Sequence, residues 1–191
     1  LCGLSVGIMW PGSLSYAKEL IPMGGVVAYN SLSHAGNSLD REIINLIKRD
    51  HNVLIGEPTA EQLKIKLANI EEYSTMDFMT VSGRDLTRGL PVNIAVSSDD
   101  VKDAIMPSVH SIIDGIKYTL EHIDPELSAD IIANGIVLTG GTALIKGWPE
   151  IIYNTIGVNV EVAPLPMECV AMGAGSALDM LDELKKYNSL V

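Results

Sequence analysis

The sequence predicts an α/β fold in which part of the sheet is parallel. Strand-like and helix-like segments follow one another along the chain, and strands separated by helices favour this class. Of the 191 residues, 47% are hydrophobic, which is enough apolar surface to offset the entropy lost on folding. The length allows one domain or two small ones.

The beginning of the chain has the composition of two strands followed by two helices. Apolar residues occupy positions 4–9, and a β-rich run follows at 26–29. A period of 3.6 between residues 40 and 50 then predicts an amphipathic helix. A second helix is predicted over 59–69, with Pro58 near its start, where a missing N–H costs nothing.

A β-hairpin and a long helix follow. Residues 76–82 and 92–96 alternate between apolar and polar side chains, and their polar connection, 83–91, is longer than the common two-residue turn. Residues 97–100, Ser-Ser-Asp-Asp, supply an N-cap and acidic first-turn side chains for the helix. An apolar stripe at helical spacing comes next: Ile105, Val109, Ile112, Ile116 and Leu120.

The last third of the chain predicts further strands and helices. Asp124 can cap a short helix that has Pro125 in its first position. From Gly135 a buried strand, a glycine turn and the start of a helix succeed one another. Residues 158–162 alternate as another strand, and a final helix is predicted from residue 168 to about residue 186.

The charge of the chain limits the ligands it can bind. Thirteen Lys and Arg against 24 Asp and Glu give a formal net charge of −11. Such a chain has no overall attraction for a phosphate backbone, and no local basic patch is visible, so a nucleic-acid partner is excluded. A nucleotide is still allowed, because helix N-termini and backbone amides bind phosphate without net positive charge.

Cysteines and histidines give no sign of a metal site or a disulfide framework. Cys2 and Cys169 are far apart, and the four histidines are scattered, so a reducing cytoplasm is expected. No apolar run approaches the ~18 to 20 residues of a membrane-spanning helix, and no signal-peptide pattern begins the chain. Because the chain starts at Leu1 and not at Met, a fragment is expected.

The strongest candidate for a binding site is the glycine turn at residues 139–142, Thr-Gly-Gly-Thr. Adjacent glycines let the backbone turn tightly and let a ligand approach, while free amides of a following helix favour a nucleotide or an anion. The turn is neither a Walker A motif nor G-x-G-x-x-G. A turn that only satisfies the strand-to-helix geometry remains the alternative.

Two further features are weaker. Glu61 and Lys64 share a helix face and could reach a ribose or a base together, although the residue types alone favour a surface ion pair. Gly173 and Gly175 lie inside a helical pattern, which favours close packing. No G-x-S-x-G, Cys–His pair or H-E-x-x-H is present, so no catalytic residue and no metal ligand is predicted.

Five segments, in order and at similar spacing, resemble the MreB family, the bacterial actin homologues of rod-shape determination. The resemblance extends over roughly residues 24–183. The segments are 26–40 (VVAYNSLSHAGNSLD), 54–64 (LIGEPTAEQLK), 81–91 (VSGRDLTRGLP), 136–147 (IVLTGGTALIKG) and 167–178 (MECVAMGAGSAL).

The resemblance implies an actin-like, ribonuclease H-like ATPase lobe with a mixed sheet, flanking helices and a small inserted α+β subdomain. In such proteins ATP or ADP with Mg lies between two lobes, and this chain looks like the second. Its inner subdomain would comprise residues 1–36 and 107–176 and its outer subdomain residues 37–106. Residues 177–191 would be the end of a helix that returns to the first lobe.

The resemblance also implies a binding site and partners. One group of residues would lie against the adenosine: Gly140, Gly141, Thr142 and Ala143. A second group would approach the base and ribose from the outer subdomain: Glu61, Gln62, Leu63 and Lys64. The expected partners are further copies in a filament and the cell-wall synthesis machinery, in the cytoplasm. Membrane association would come through parts that these residues lack.

The chain also departs from the family pattern. An Asp-x-Gly-Gly-Gly-Thr phosphate loop is expected upstream of residue 26, but residues 7–13 read GIMWPGS, and Thr142 replaces a third glycine. The first lobe, with its catalytic glutamate, is outside these residues. Because phosphoryl transfer depends on positioning, ATP hydrolysis by this chain alone is not expected. A degenerate interaction module that binds no nucleotide, or another actin-superfamily ATPase, remains the alternative function.

Overall fold

A computed structural model of the protein describes residues 5–7, 36–72 and 75–179. The predicted strand at 26–29 and the predicted end of the last helix lie outside these residues. The strands described are β1 (Ser5–Gly7), β2 (Val53–Leu54), β3 (Phe78–Asp85), β4 (Pro91–Ser97), β5 (Ile136–Thr139) and β6 (Val160–Val162). The α-helices are α1 (Gly36–His51), α2 (Glu57–Leu67), α3 (Ser98–Glu121), α4 (Pro125–Asn134), α5 (Trp148–Ile156) and α6 (Cys169–Asp179).

The described strands form two three-stranded sheets. In the first, ordered β1-β5-β6, β1 is antiparallel to β5 and β5 is parallel to β6. This mixture confirms that part of the sheet is parallel. The second sheet, ordered β2-β3-β4, is antiparallel throughout. The first sheet lies in the sequence ranges expected for the inner subdomain and the second in that expected for the outer one.

The predicted hairpin is present, but β3 is longer than its sequence pattern indicates. It continues through Gly83 and Arg84 to Asp85, because the last two of these residues pair with β2. The connection therefore shortens from the predicted 83–91 to residues 86–90. Pairing with a strand that is distant in sequence extended β3, which local alternation cannot indicate.

The helices match the predicted positions with shifted ends. Helix α1 begins four residues earlier than the period indicates, and α2 covers 57–67 in place of 59–69. Ser97 caps α3 in a full capping box: its Oγ accepts from the Asp100 amide at 3.1 Å, and Asp100 Oδ2 accepts from the Ser97 amide at 3.0 Å. Asp124 stands at the predicted cap of α4, but its side chain makes no capping hydrogen bond.

Helices α1, α2 and α3 pack together and bury the apolar stripes that the sequence predicts. Helix α3 runs without a break across the expected boundary at residues 106 and 107. None of the described helices is both long and apolar enough to cross a membrane. The fully buried side chains of these three helices include Leu39, Ile43, Ile47, Ala60, Leu63, Val101, Ile105 and Val109.

Helix α6 differs from its prediction in its packing. Gly173 and Gly175 are exposed, and no described atom lies within 4 Å of the position that a Cβ would take at either residue. The described residues therefore supply no packing neighbour for these glycines, and close packing there stays a prediction. Helix propensity and local pattern do not say whether a neighbour is present.

The last residue of β3, Asp85, is a carboxylate that responds to pH. Asp85 Oδ1 accepts from the Arg88 amide at 3.1 Å and from the Thr87 amide at 2.7 Å, and these bonds hold the pKa of Asp85 below its ordinary value. A lowered native pKa contributes stability above the unfolded pKa of about 3.9, and this contribution is lost as the pH falls through the native pKa. We expect the Thr87 amide shift to titrate with a midpoint below that of an unfolded Asp. In Asp85→Asn this titration should vanish; an unchanged titration would assign it to another group.

Candidate functional site

The predicted glycine turn lies at the carboxyl end of β5. Gly140 has φ 88° and ψ 168°, a conformation that favours glycine. Its amide donates to the Pro166 carbonyl at 2.7 Å, and its own carbonyl accepts from the Ala143 amide at 3.1 Å. The chain therefore reverses here with its backbone satisfied, as the sequence predicts.

The helix that was expected directly after the turn is only a short 3-10 helix. It covers Gly141–Leu144, and the next α-helix, α5, begins at Trp148. Ile145 is extended and Gly147 is left-handed, so neither residue can continue the helix. The helix that starts at this position is therefore shorter and tighter than expected, and the binding of an anion by its first amides stays a prediction.

The residues of the turn differ in their exposure to solvent. Thr142 and Ala143 are buried, whereas Gly140 and Gly141 are half-buried. The side chain after them, Leu144, is 57% exposed. Ligand contact at this turn can therefore involve the backbone of the two glycines and the Leu144 side chain. Sequence reasoning missed Leu144, because no motif marks an apolar residue as exposed.

Trp148 fixes the turn from inside the core. Its side chain is fully buried, and Nε1–H donates to the Thr142 carbonyl at 2.8 Å. The same carbonyl accepts from the Ile145 amide at 3.2 Å. Trp148 is thus a core residue, and this hydrogen bond also makes it a support of the glycine turn.

The four predicted residues of α2 point in different directions. Glu61 and Gln62 are exposed, while Leu63 is fully buried in the core, so its side chain is not available to a ligand. Lys64 Nζ lies 2.8 Å from Asp40 Oδ1 in an ion pair and donates to the Gly36 carbonyl at 3.2 Å. Lys64 therefore ties α2 to the start of α1 and pairs with Asp40, not with Glu61.

A cleft is lined by the residues that directly follow the two predicted segments, but by none of the eight predicted residues themselves. It has a volume of about 90 Å³ and lies between the end of α2 and the end of the 3-10 helix. Ile65 follows the predicted α2 residues and is 73% exposed, and Leu144 follows the predicted turn. Lys66, Asn69 and Lys146 add polar groups to the lining.

A larger groove, of about 440 Å³, lies at the opposite end of β5 and β6. Its lining includes Pro149, Glu150, Tyr153 and Glu161 but none of the eight predicted site residues. Size alone would select this groove, whereas nearness along the chain to the predicted residues selects the cleft. We take the cleft as the candidate site, because Ile65 and Leu144, which directly follow the two predicted segments, line it. Among the described residues, no group of three His, Cys, Asp or Glu side chains could hold a metal ion.

The sequence model of the MreB/Mbl protein family matches residues 15–186. The chain belongs to the MreB/Mbl family. Over 167 residues it is 44% identical to the cell shape-determining protein Mbl of Bacillus subtilis, which covers 87% of the chain and 50% of Mbl. It is 35% identical to the cell shape-determining protein MreB of Escherichia coli over 163 residues, covering 85% of the chain and 47% of MreB.

Solved structures of the same family show the fold. MreB5 of Spiroplasma citri bound to ADP superimposes with a TM-score of 0.81 and 29% identity, over 85% of this chain and 50% of MreB5; the same protein bound to AMPPNP gives the same TM-score. The expectation of an actin-like α/β fold is confirmed. This MreB/Mbl family chain spans about half the length of the relatives it matches.

Proposed function

We propose that this chain is the nucleotide-facing second lobe of a cell shape-determining MreB/Mbl protein that binds ATP or ADP and assembles into filaments. The observation that carries the proposal is the cleft between the end of α2 and the end of the 3-10 helix. Ile65 and Leu144, which line it, directly follow the two segments that the family resemblance assigns to the adenosine. The structures of MreB5 with ADP and with AMPPNP support this assignment.

The residues of the cleft suit the base better than the phosphates. Ile65 and Leu144 offer exposed apolar surface against which a flat ring can stack. Within the described residues, neither a phosphate loop nor a carboxylate cluster for Mg accompanies them. Residues 7–13, where the family resemblance leads us to look for such a loop, read GIMWPGS. The chain is therefore proposed to contribute the adenosine half of a site.

If the chain supplies only the adenosine half of the site, the chain alone and an intact homologue should differ in their affinity for ADP. The chain alone should bind ADP weakly or not at all in isothermal calorimetry, since neither its described residues nor the sequence at 7–13 provides a phosphate loop. An intact homologue that carries this lobe in place of its own should bind ADP. Sub-micromolar affinity of the chain alone would overturn the first expectation, and no heat from the intact homologue would overturn the second.

A single substitution in that homologue tests whether the base binds at the cleft. Leu144→Asp should weaken ADP binding by about tenfold or more, because it puts a carboxylate on the apolar wall and close to an anionic ligand. Tyr153→Asp is the matched control: Tyr153 is exposed to a similar degree, at 53%, but lines the larger groove. Equal losses in both variants would argue against the cleft as the site.

A filament role without nucleotide is the second candidate, and the sequence at residues 7–13 together with the Lys64–Asp40 pair favours it. Such a module would keep assembly surfaces and bind the cell-wall synthesis machinery in the cytoplasm, with membrane association through other parts. Pelleting with and without ATP separates the two functions. Assembly that depends on ATP supports the filament ATPase, and assembly that is equal in both conditions supports the module.

A further inference from the structure

A contact between two backbone segments joins the halves of the cleft. Residues 69–71, just after α2, lie beside residues 146 and 147, just before α5; we call this contact the clasp. Asn69 and Lys146 form an isolated parallel bridge, and the Ile70 amide donates to the Lys146 carbonyl at 2.9 Å. The clasp is the point at which the segment bearing Glu61 and Lys64 is bonded to the segment bearing the glycine turn.

The clasp requires glycine at position 147. Gly147 has φ +99°, a conformation that L side chains rarely adopt. A Cβ at this position would lie 2.6 Å from the Glu71 amide nitrogen and 2.8 Å from the Ile70 carbonyl carbon. Both neighbours are backbone atoms, so they could make room only if the two segments separated. A methyl group at position 147 would therefore push the clasp open.

Side chains hold residues 69–71, the outer segment of the clasp, in place. Lys102 Nζ, on α3, donates to the Glu71 carbonyl at 2.6 Å. Asn69 Oδ1 accepts from the Glu71 amide at 2.9 Å, and Asn69 Nδ2 donates to Glu71 Oε2 at 3.2 Å. The outer segment is thus fixed both to a long helix and to itself.

Residues 146 and 147, the inner segment of the clasp, lie a few residues after the glycine turn. Trp148 follows Gly147 and donates to the Thr142 carbonyl, which also accepts from the Ile145 amide. Residues 142–148 therefore carry the glycine turn at one end and the clasp at the other. A displacement at Gly147 is transmitted to the turn through a buried indole and two hydrogen bonds.

We propose that the clasp positions the glycine turn against α2, and that Gly147 and Lys102 are positioning residues for the cleft. The identity of the ligand rests on the proposed function, whereas the coupling of the two segments does not. Neither residue belongs to the segments that the resemblance assigns to the nucleotide. Their role is to set the separation of Leu144 from Ile65, the two apolar side chains of the cleft.

The test is amide hydrogen exchange on the full chain without nucleotide, comparing Gly147→Ala with Gly157→Ala. Gly157 lies at the other end of α5, also has positive φ at +78°, and has nothing within 4 Å of its Cβ position. Both variants thus strain the backbone, but only the first opens the clasp. We expect Gly147→Ala to speed exchange of the Ile70, Ala143 and Ile145 amides by about tenfold.

The Asp85 amide is the reference for global unfolding, since it is bonded to the Leu90 carbonyl at 2.9 Å within the hairpin. In Gly147→Ala it should exchange at its original rate. Equal acceleration at Asp85, or the same acceleration in Gly157→Ala, would show a loss of overall stability and overturn the proposal. Faster exchange at Ile70 with no change at Ala143 and Ile145 would also overturn it, because the turn would then not depend on the clasp.

Lys102→Met gives a second test that leaves the backbone unchanged. It keeps most of the apolar stem and removes the donor to Glu71, so the same three amides should exchange faster, while Lys117→Met should change none of them. Lys117 is on the same helix, 15 residues or about 22 Å away. If the variants show this exchange pattern but the intact homologue does not bind ADP, the proposed function is refuted and the positioning role is not.

Discussion

Replacing Lys64 with Met is expected to lower the free energy of unfolding by about 3 kcal/mol. The Lys64 and Asp40 side chains are each only 12% exposed, and Nζ lies 2.8 Å from Oδ1. Among the described residues, Oδ1 accepts no hydrogen bond, so the ammonium is the group that compensates its charge. Removing the ammonium leaves a buried carboxylate without a counterion, and it also removes the donor to the Gly36 carbonyl.

Two variants make this prediction specific in urea denaturation. The control is Lys66→Met. Lys66 lies two residues away on the same helix and is exposed, so this variant should change the free energy of unfolding by less than about 0.5 kcal/mol. Asp40→Asn combined with Lys64→Met should recover most of the loss, because no buried charge remains. If Lys64→Met and Lys66→Met were equally stable, the ion pair would contribute nothing to the packing of α1 on α2.

Replacing Trp148 with Ala is expected to cost about 4 kcal/mol. Among the described residues, Trp148 is the largest fully buried side chain, so its removal leaves a large cavity under the glycine turn. It also removes the donor to the Thr142 carbonyl. Circular dichroism during urea unfolding measures the loss without relying on the fluorescence of the deleted indole.

Two other substitutions separate volume from hydrogen bonding at this position. Trp148→Phe keeps much of the ring but loses the N–H, so its cost should be smaller than that of Trp148→Ala. Tyr153→Ala is on the same helix with a side chain that is 53% exposed, and it should cost much less than either. A Trp148→Ala variant as stable as Tyr153→Ala would contradict the buried position of the indole.

The sequence predicts the local elements of this fold well, because local chemistry determines them. The 3.6-residue period gives α1, and the Ser97–Asp100 pattern gives the capped start of α3. Element ends are less accurate where a distant partner decides them. Strand β3 extends to Asp85 because β2 pairs with it, and the helix expected after Gly141 stops after one short 3-10 turn.

Only part of the candidate site could be predicted from the sequence, because the turn is a local feature whereas its surroundings come from distant segments. Gly140 and Gly141 stand at the turn that their conformational freedom suggests, and the α2 segment ends at the same cleft. Sequence spacing could not show that Leu63 is buried, that Lys64 pairs with Asp40, or that Ile65 and Leu144 are the exposed apolar side chains there. Those facts depend on which helices pack together.

The family, the alternation of strands and helices, and the two candidate binding segments can be read from the sequence. These properties are local, since a period, a cap or a motif is complete within a few residues. The way in which the segments are held next to each other depends on the folded chain. Gly147 packs against Ile70 and Glu71, and Lys102 binds the Glu71 carbonyl, through contacts between residues 31 to 77 positions apart. Such contacts form only when the chain has folded, because their free energy comes from close packing and buried hydrogen bonds between distant segments.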